Sequence, residues 1–263
     1  VTHALDLTSQ TQTATNYLQF YARNVRTSDS PGAPAGSLPA MMYGTGQEAS
    51  PQILLDVEAP AWLLWSIWQH DAQVPEGDRN SYRKEMWKCV ELTGDFLSNW
   101  SRAVRDTPAF SYDFAHNRDI HSFDTIAIVY AGLRAADAFA RASGHDKPDW
   151  AARLIELEDY LRFTALDPAG NFKIDNPLIV WMTDIVGAGD PRWQHAVQTA
   201  TQKIQGNGSG ESLESLAQLA MLLRGQKDKL DALKPLVMPA AQKALDANPC
   251  DSFYAALVVL TIR

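Results

Sequence analysis

Apolar residues return at helical intervals along almost the whole chain, and this periodicity most limits what the chain can fold into. Ile126, Val129, Tyr130, Leu133 and Ala136 follow the spacing of one buried helical stripe, and Leu213, Leu216, Ala220 and Leu223 repeat it. Between Ala59 and His70, the residues Trp62, Leu63, Trp65, Ile67 and Trp68 go nearly all the way round, as in a helix buried on most faces. No run of alternating β-branched residues flanks an Asn-Gly or Asp-Gly turn, so strands are not expected.

Breaks punctuate the pattern. Ser28–Pro39 holds Pro31, Pro34 and Pro39 together with Gly32 and Gly36, and cannot be helical. Other breaks fall at Pro75–Asp78, Asp106–Phe110, Gly144–Pro148, Asp167–Gly170, Gly187–Pro191, Gly206–Gly210 and Asn248–Asp251. Helices are predicted over 4–26, 57–73, 79–103, 121–143, 149–164, 175–186, 190–205, 211–225, 227–247 and 251–262. Short turns between helices make neighbours antiparallel. The composition does not shift along the chain, so one domain over 1–263 is expected. The lack of a fixed repeat counts against a solenoid. A globular bundle remains open, but hairpins of unequal length around helices apolar on all sides better suit an all-α fold of the (α/α) toroid type, whole or incomplete, with a cleft built by the loops at one end.

Composition narrows the function. The chain has 263 residues, 46% of them hydrophobic, enough to bury a core without staples. Its net charge of −8 and lack of a long basic run make nucleic acid a poor partner. The longest apolar stretches, Ala59–Trp68 and Tyr254–Ile262, fall short of the ~18–20 residues of a membrane helix. The first residues lack the basic and hydrophobic regions of a signal peptide and an initiator Met, the expectation for a processed or partial chain. Cys89 and Cys250 are expected to be free and buried rather than bridged. Asn99-Trp100-Ser101 and Asn207-Gly208-Ser209 match the N-glycosylation triplet, which also arises by chance. The compartment stays open.

Three stretches can carry chemistry. A Pro/Gly loop through Gly46 feeds Asp56-Val57-Glu58 and then aromatics. Asp56 and Glu58 suit a helix start by capping and dipole. Alternatively, Asp56 faces a cleft and binds a polyol, with Tyr43, Trp62 or Trp65 as a platform for sugar faces. Ser111–Thr125 gathers Asp113, His116, Arg118, Asp119, His121 and Asp124 before a strongly apolar helix, either as a capping loop or as a site. His116, Asp119 and His121 fit no zinc spacing, so no metal is expected, and no cofactor. In Ile174-Asp175-Asn176-Pro177, Asp175 is a helix-start residue or a cleft residue. Trp68, Trp87, Trp100 and Trp193 are read as core or helix-packing residues.

At these points the order and spacing resemble the catalytic (α/α) toroid of glucoamylase-type glycoside hydrolases of family 15. Gly36-Ser37-Leu38-Pro39 resembles that family's Gly-x-Leu-Pro loop, and Asp56 with Leu64-Trp65 and Trp68 its aspartate and following aromatic helix. Tyr112-Asp113-Phe114-Ala115-His116-Asn117-Arg118-Asp119-Ile120-His121-Ser122-Phe123-Asp124 resembles its acid loop. Val129-Tyr130-Ala131-Gly132-Leu133-Arg134-Ala135-Ala136 resembles the helix beyond it. Ile174–Leu178 and Gly189–Arg192 are similar to the next hairpin. The resemblance covers about residues 36–205.

The resemblance implies a glycoside hydrolase acting on α-linked glucosides or oligosaccharides. The family's acid, a Glu, matches Ala115, His116 or Asn117 here. No counterpart of its second Glu is evident, although Glu211 and Glu214 follow a Gly-rich loop. Its Arg-Asp clamp would lie upstream of residue 1. An inverting glycosidase needs two carboxyls ~6.5–9.5 Å apart. In their place His116, with an unperturbed pKa of ~6.5, can donate a proton, and Asp119 or Asp113 can serve as acid or base. His121 would orient these groups, and Asp56, Trp62, Tyr43 and Asp175 would bind substrate. Two alternatives remain: an inactive saccharide-binding or scaffold relative, and an enzyme of other, non-hydrolytic chemistry on the same ring.

Overall fold

The first apolar pattern predicts one helix, but the structure has two, α1 (Thr2–Leu7) and α2 (Thr11–Arg23). Ser9 takes a left-handed φ of 62°, its N–H donates to Asp6 O at 3.0 Å, and Gln10 N–H donates to Leu5 O at 2.8 Å. Those two bonds satisfy the last carbonyls of α1 and close it. Thr8 Oγ1 adds a bond to Ala4 O at 3.0 Å.

This computed structural model describes residues 1–30, 33–39, 42–49, 56–103, 110–113, 118–121 and 123–162. Further on it describes 182–185, 190–191, 193–195, 197–198, 201–202, 216, 219–220, 223, 227–247, 256 and 258–259. The described residues are mostly helical, as the all-α expectation requires. After α2 come α3 (Glu58–Asp71), α4 (Glu76–Ala103), β1 (Phe110–Asp113), β2 (Arg118–His121), α5 (Phe123–Ala142), α6 (Pro148–Tyr160) and α7 (Lys227–Ala247). The predicted windows 175–186, 190–205, 211–225 and 251–262 each contain helical residues, but their bounds lie outside the described residues. The antiparallel pair β1–β2 corrects the expectation of no strands. Its strands are four residues each, too short for alternation to show in the sequence.

Two compact units carry the packing: Thr11–Arg162 with Thr2, and Phe163–Arg263 with Val1 and His3–Gln10. In the first, α3 and α5 run parallel. Thr125 meets Glu58 near their starts, while Arg83 of α4 bonds both Asp71 and the Ala142 carbonyl at their ends. The Arg83 guanidinium grips the buried Asp71 carboxylate at 2.9 and 2.6 Å and reaches Ala142 O at 2.8 Å, joining three helices. Asp71 holds Arg83 above its ordinary pKa. Gly132 of α5 lies against the backbone of Ala61 in α3; a Cβ there would stand 2.6 Å from Ala61 Cα. α4 packs antiparallel on both. α6 packs on α4 and α5, and α2 on α3 and α4. From Thr125 to Ala140 only Arg134 and Ala138 escape full burial, matching an apolar pattern without a polar face. α6 begins with Pro148 at its first position, and Trp150 Nε1 donates to Asp95 Oδ1 at 2.8 Å.

In the second unit α7 buries Leu233, Val237 and Ala241 at four-residue intervals. Its predicted bounds match the observed ones. Trp193 is buried, whereas Trp68, Trp87 and Trp100 are half-buried. Trp87 stacks on His145 with ring centroids 3.7 Å apart. Cys89 is a buried free thiol, and burial pushes its pKa up to about 12; Cys250 lies outside the described residues. Among the described residues no helix is long and apolar enough to cross a membrane.

Candidate functional site

Asp56 starts the site because it starts a helix. Its Oδ1 accepts the Glu58 N–H at 2.9 Å and the Ala59 N–H at 3.4 Å, satisfying two amides that the first turn leaves open. The capping role is thus filled. The side chain is nonetheless buried, and burial raises its pKa while the two amides pull it back only in part. An anti bridge pairs Asp56 with Leu38, so the Gly36–Pro39 loop lies against this helix start.

The loop is fixed from behind. Gly36 has φ of 84°, and a Cβ there would stand 2.0 Å from the Leu92 carbonyl oxygen of α4. Only glycine fits. Buried Ser37 donates to Pro34 O at 2.6 Å and accepts from Arg26 Nη1 at 3.2 Å, while Arg26 Nη2 pairs with Glu48 Oε1 at 3.1 Å. Such a loop sets Leu38 in position to bridge Asp56.

The second element arrives through one hydrogen bond. Thr125 Oγ1, fully buried in the first turn of α5, donates to Glu58 Oε1 at 2.6 Å. The starts of α3 and α5 therefore meet, and β2 ends at His121, four residues before Thr125 in the chain. The ribbon pairs Phe110 with His121, Ser111 with Ile120, Tyr112 with Asp119 and Asp113 with Arg118. By strand alternation Asp119 and His121 belong to one face of the ribbon and Asp113 to the other. His116 falls in the 114–117 connection, outside the described residues, as does Asp175.

Trp62 is half-buried one turn into α3, its ring edge-on to that of Trp65 at 6.0 Å. Trp65 is buried and braces it. Tyr43 is 59% exposed in the turn closed by Gly46 N–H to Tyr43 O at 2.8 Å. Among the described residues no hydrogen bond or ring contact ties it to Asp56 or Trp62. Glu58 and Thr125 are the partners the sequence reading missed as a pair. Each looked like a helix-start residue, and only the fold brings them together across 67 positions.

The assembled chemistry is a desolvated carboxyl, a second carboxyl held by a hydroxyl, and an aromatic face beside them. Carboxylates that accept hydrogen bonds and a partly open indole suit hydroxylated ligands. Among the described residues no group of three or more His, Cys, Asp or Glu gathers as a metal set would. No family model matches the chain, and no curated protein or solved structure matches it either.

Proposed function

We propose that the chain is a toroid-type α/α protein that hydrolyses α-linked glucosides by acid/base catalysis from its own side chains. With no matching family or structure, the reading rests on the sequence resemblance to glucoamylase-type glycoside hydrolases and on the arrangement of these residues. The observation that carries it is the Thr125–Glu58 bond. It joins the starts of two parallel helices, so buried Asp56, half-buried Trp62 and the ribbon bearing Asp119 and His121 share one end of one unit. The alternation of parallel α3 and α5 with antiparallel α4 also supports the toroid reading.

In this reading Trp62 and Tyr43 offer the apolar face of a sugar ring a platform, and Asp56 binds its hydroxyls. His116 gives a proton to the leaving oxygen, and Asp119 takes one from the attacking water. His121, on the same ribbon face as Asp119, orients it. Asp113 is the weaker candidate, being assigned to the opposite face.

A second reading has its own support. Asp56 Oδ1 already serves two amides, and Ala115, His116 and Asn117 stand where the family's acid would be. A saccharide-binding protein without hydrolysis needs no acid there. Incubation with maltose, isomaltose, trehalose and an aryl glucoside, following glucose release, tests both. Release that falls at least tenfold in His116→Ala and in Asp119→Asn supports hydrolysis. Saturable quenching of tryptophan fluorescence by saccharide without product supports binding alone. Neither release nor quenching ends both readings.

A further inference from the structure

A groove of about 260 Å³ runs between α2 and α4 and is open to solvent. Val25, Met86, Leu92 and the Cys89 thiol line it, three of them buried. Arg23 and Lys88 stand exposed among its lining residues, and among the described residues neither has an acidic partner. The one carboxylate of the lining, Glu85, is held by Gln19 Nε2 at 2.9 Å. A chain of net charge −8 thus sets two cations, against the one carboxylate of Glu85, beside an apolar floor.

We infer that this groove binds a small amphiphilic anion, its apolar body on Val25, Met86 and Leu92 and its anionic head between Arg23 and Lys88. The volume lies below the ~300–1,000 Å³ of sites for drug-sized ligands, so the body is a short alkyl chain or a single ring. Burying that body supplies the affinity. The cations supply the choice of sign. A neutral or cationic amphiphile of the same length meets the same floor without the charge match. Carboxylates and phosphate monoesters share the required chemistry. The inference does not depend on any role for Asp56 or the ribbon.

Calorimetric titration of the full chain with sodium octanoate, octyl phosphate, octanol and octylammonium tests it. Octanoate or octyl phosphate is expected to saturate below about 1 mM, and octanol and octylammonium to bind about tenfold more weakly or not at all. Which anion binds more tightly identifies the head group. The exposed-site double variant Arg23→Gln/Lys88→Gln is expected to lose about tenfold in anion affinity, in line with two exposed charge contacts. Ala22→Phe, which fills the groove wall, is expected to weaken all four probes. Circular dichroism on each variant confirms that the helices persist. The inference is overturned if neither anion saturates, if octanol binds as tightly as the anions, or if the double variant binds them unchanged.

Discussion

Asp56 holds two opposed demands that a pH series can separate. Burial lifts its carboxyl above the ordinary value of 3.8, and the amides of Glu58 and Ala59 offset part of that rise. A raised value means the folded chain keeps this proton to higher pH than the unfolded chain does. Unfolding then releases a proton between the two values, so stability falls as pH rises through that window. Below 3.8 both states are protonated and the cost is absent; above the folded value it is present in full. Asp56→Asn keeps an acceptor for both amides and removes the charge. It is expected to be at least as stable as the parent at pH 7 in urea unfolding, with a lead that widens from pH 4 to pH 7. Asp56→Ala, which loses the cap, is expected to cost about 1 kcal/mol. A lead for Asn that narrows with rising pH would mean that the amides, not burial, dominate. The cap itself was legible in the sequence, since an aspartate before an apolar helical run has one common local use. The Glu58–Thr125 bond was not, because nothing local marks which distant hydroxyl a helix-start glutamate will meet.

Between elements, the closest approach of α3 and α5 sets the sign of a substitution that propensity alone would get wrong. Alanine is favoured over glycine in a helix by about 1 kcal/mol. At Gly132 the added carbon would meet backbone atoms of Ala61 at 2.6 Å, and backbone cannot turn aside. Overpacking of this kind costs about 1–3 kcal/mol, which outweighs the propensity gain. Gly132→Ala is therefore expected to lower stability, by up to about 2 kcal/mol. Gly77→Ala, in the first turn of α4 with nothing within 4 Å, is expected to raise it by up to about 1 kcal/mol. Thermal melts of the two variants side by side check the contrast, and a Gly132→Ala that melts higher than the parent would mean the helices do not touch there. The long helices were readable because burial of one stripe or all faces writes a period into the sequence, as in α5 and α7. The break at Ser9 was hidden because it needs no glycine or proline, only backbone bonds back to Asp6 and Leu5. The ribbon was hidden because the register, not the residue alternation, defines it. Only that register separates Asp113 from Asp119.

At the scale of the molecule, the largest fully buried side chains among the described residues all lie between Leu18 and Leu161. Trp150, Phe139, Leu133, Ile126, Leu97, Met86, Ile67 and Leu64 belong to that set, and each sits on a helix of the Thr11–Arg162 unit. The polar ties joining those helices are internal to the unit too: Arg83 with Asp71 and Ala142, Trp150 with Asp95, Thr125 with Glu58. A segment with its own core, its own cross-links and a length within the ordinary domain range of about 50–250 residues has what independent folding requires. Burial of apolar area is the dominant favourable term in folding, and it scales with what the segment itself removes from water. The fragment 11–162 is therefore expected to fold alone, with a helical circular dichroism spectrum and one cooperative urea transition. Arg83→Leu in that fragment is expected to lower the midpoint, because Asp71 would be left as a buried carboxylate without its partner. A broad, non-cooperative transition would instead mean that the core of 11–162 is complete only within the whole chain. The starts of α3 and α5, joined by the Thr125–Glu58 bond, would then form only in the full chain.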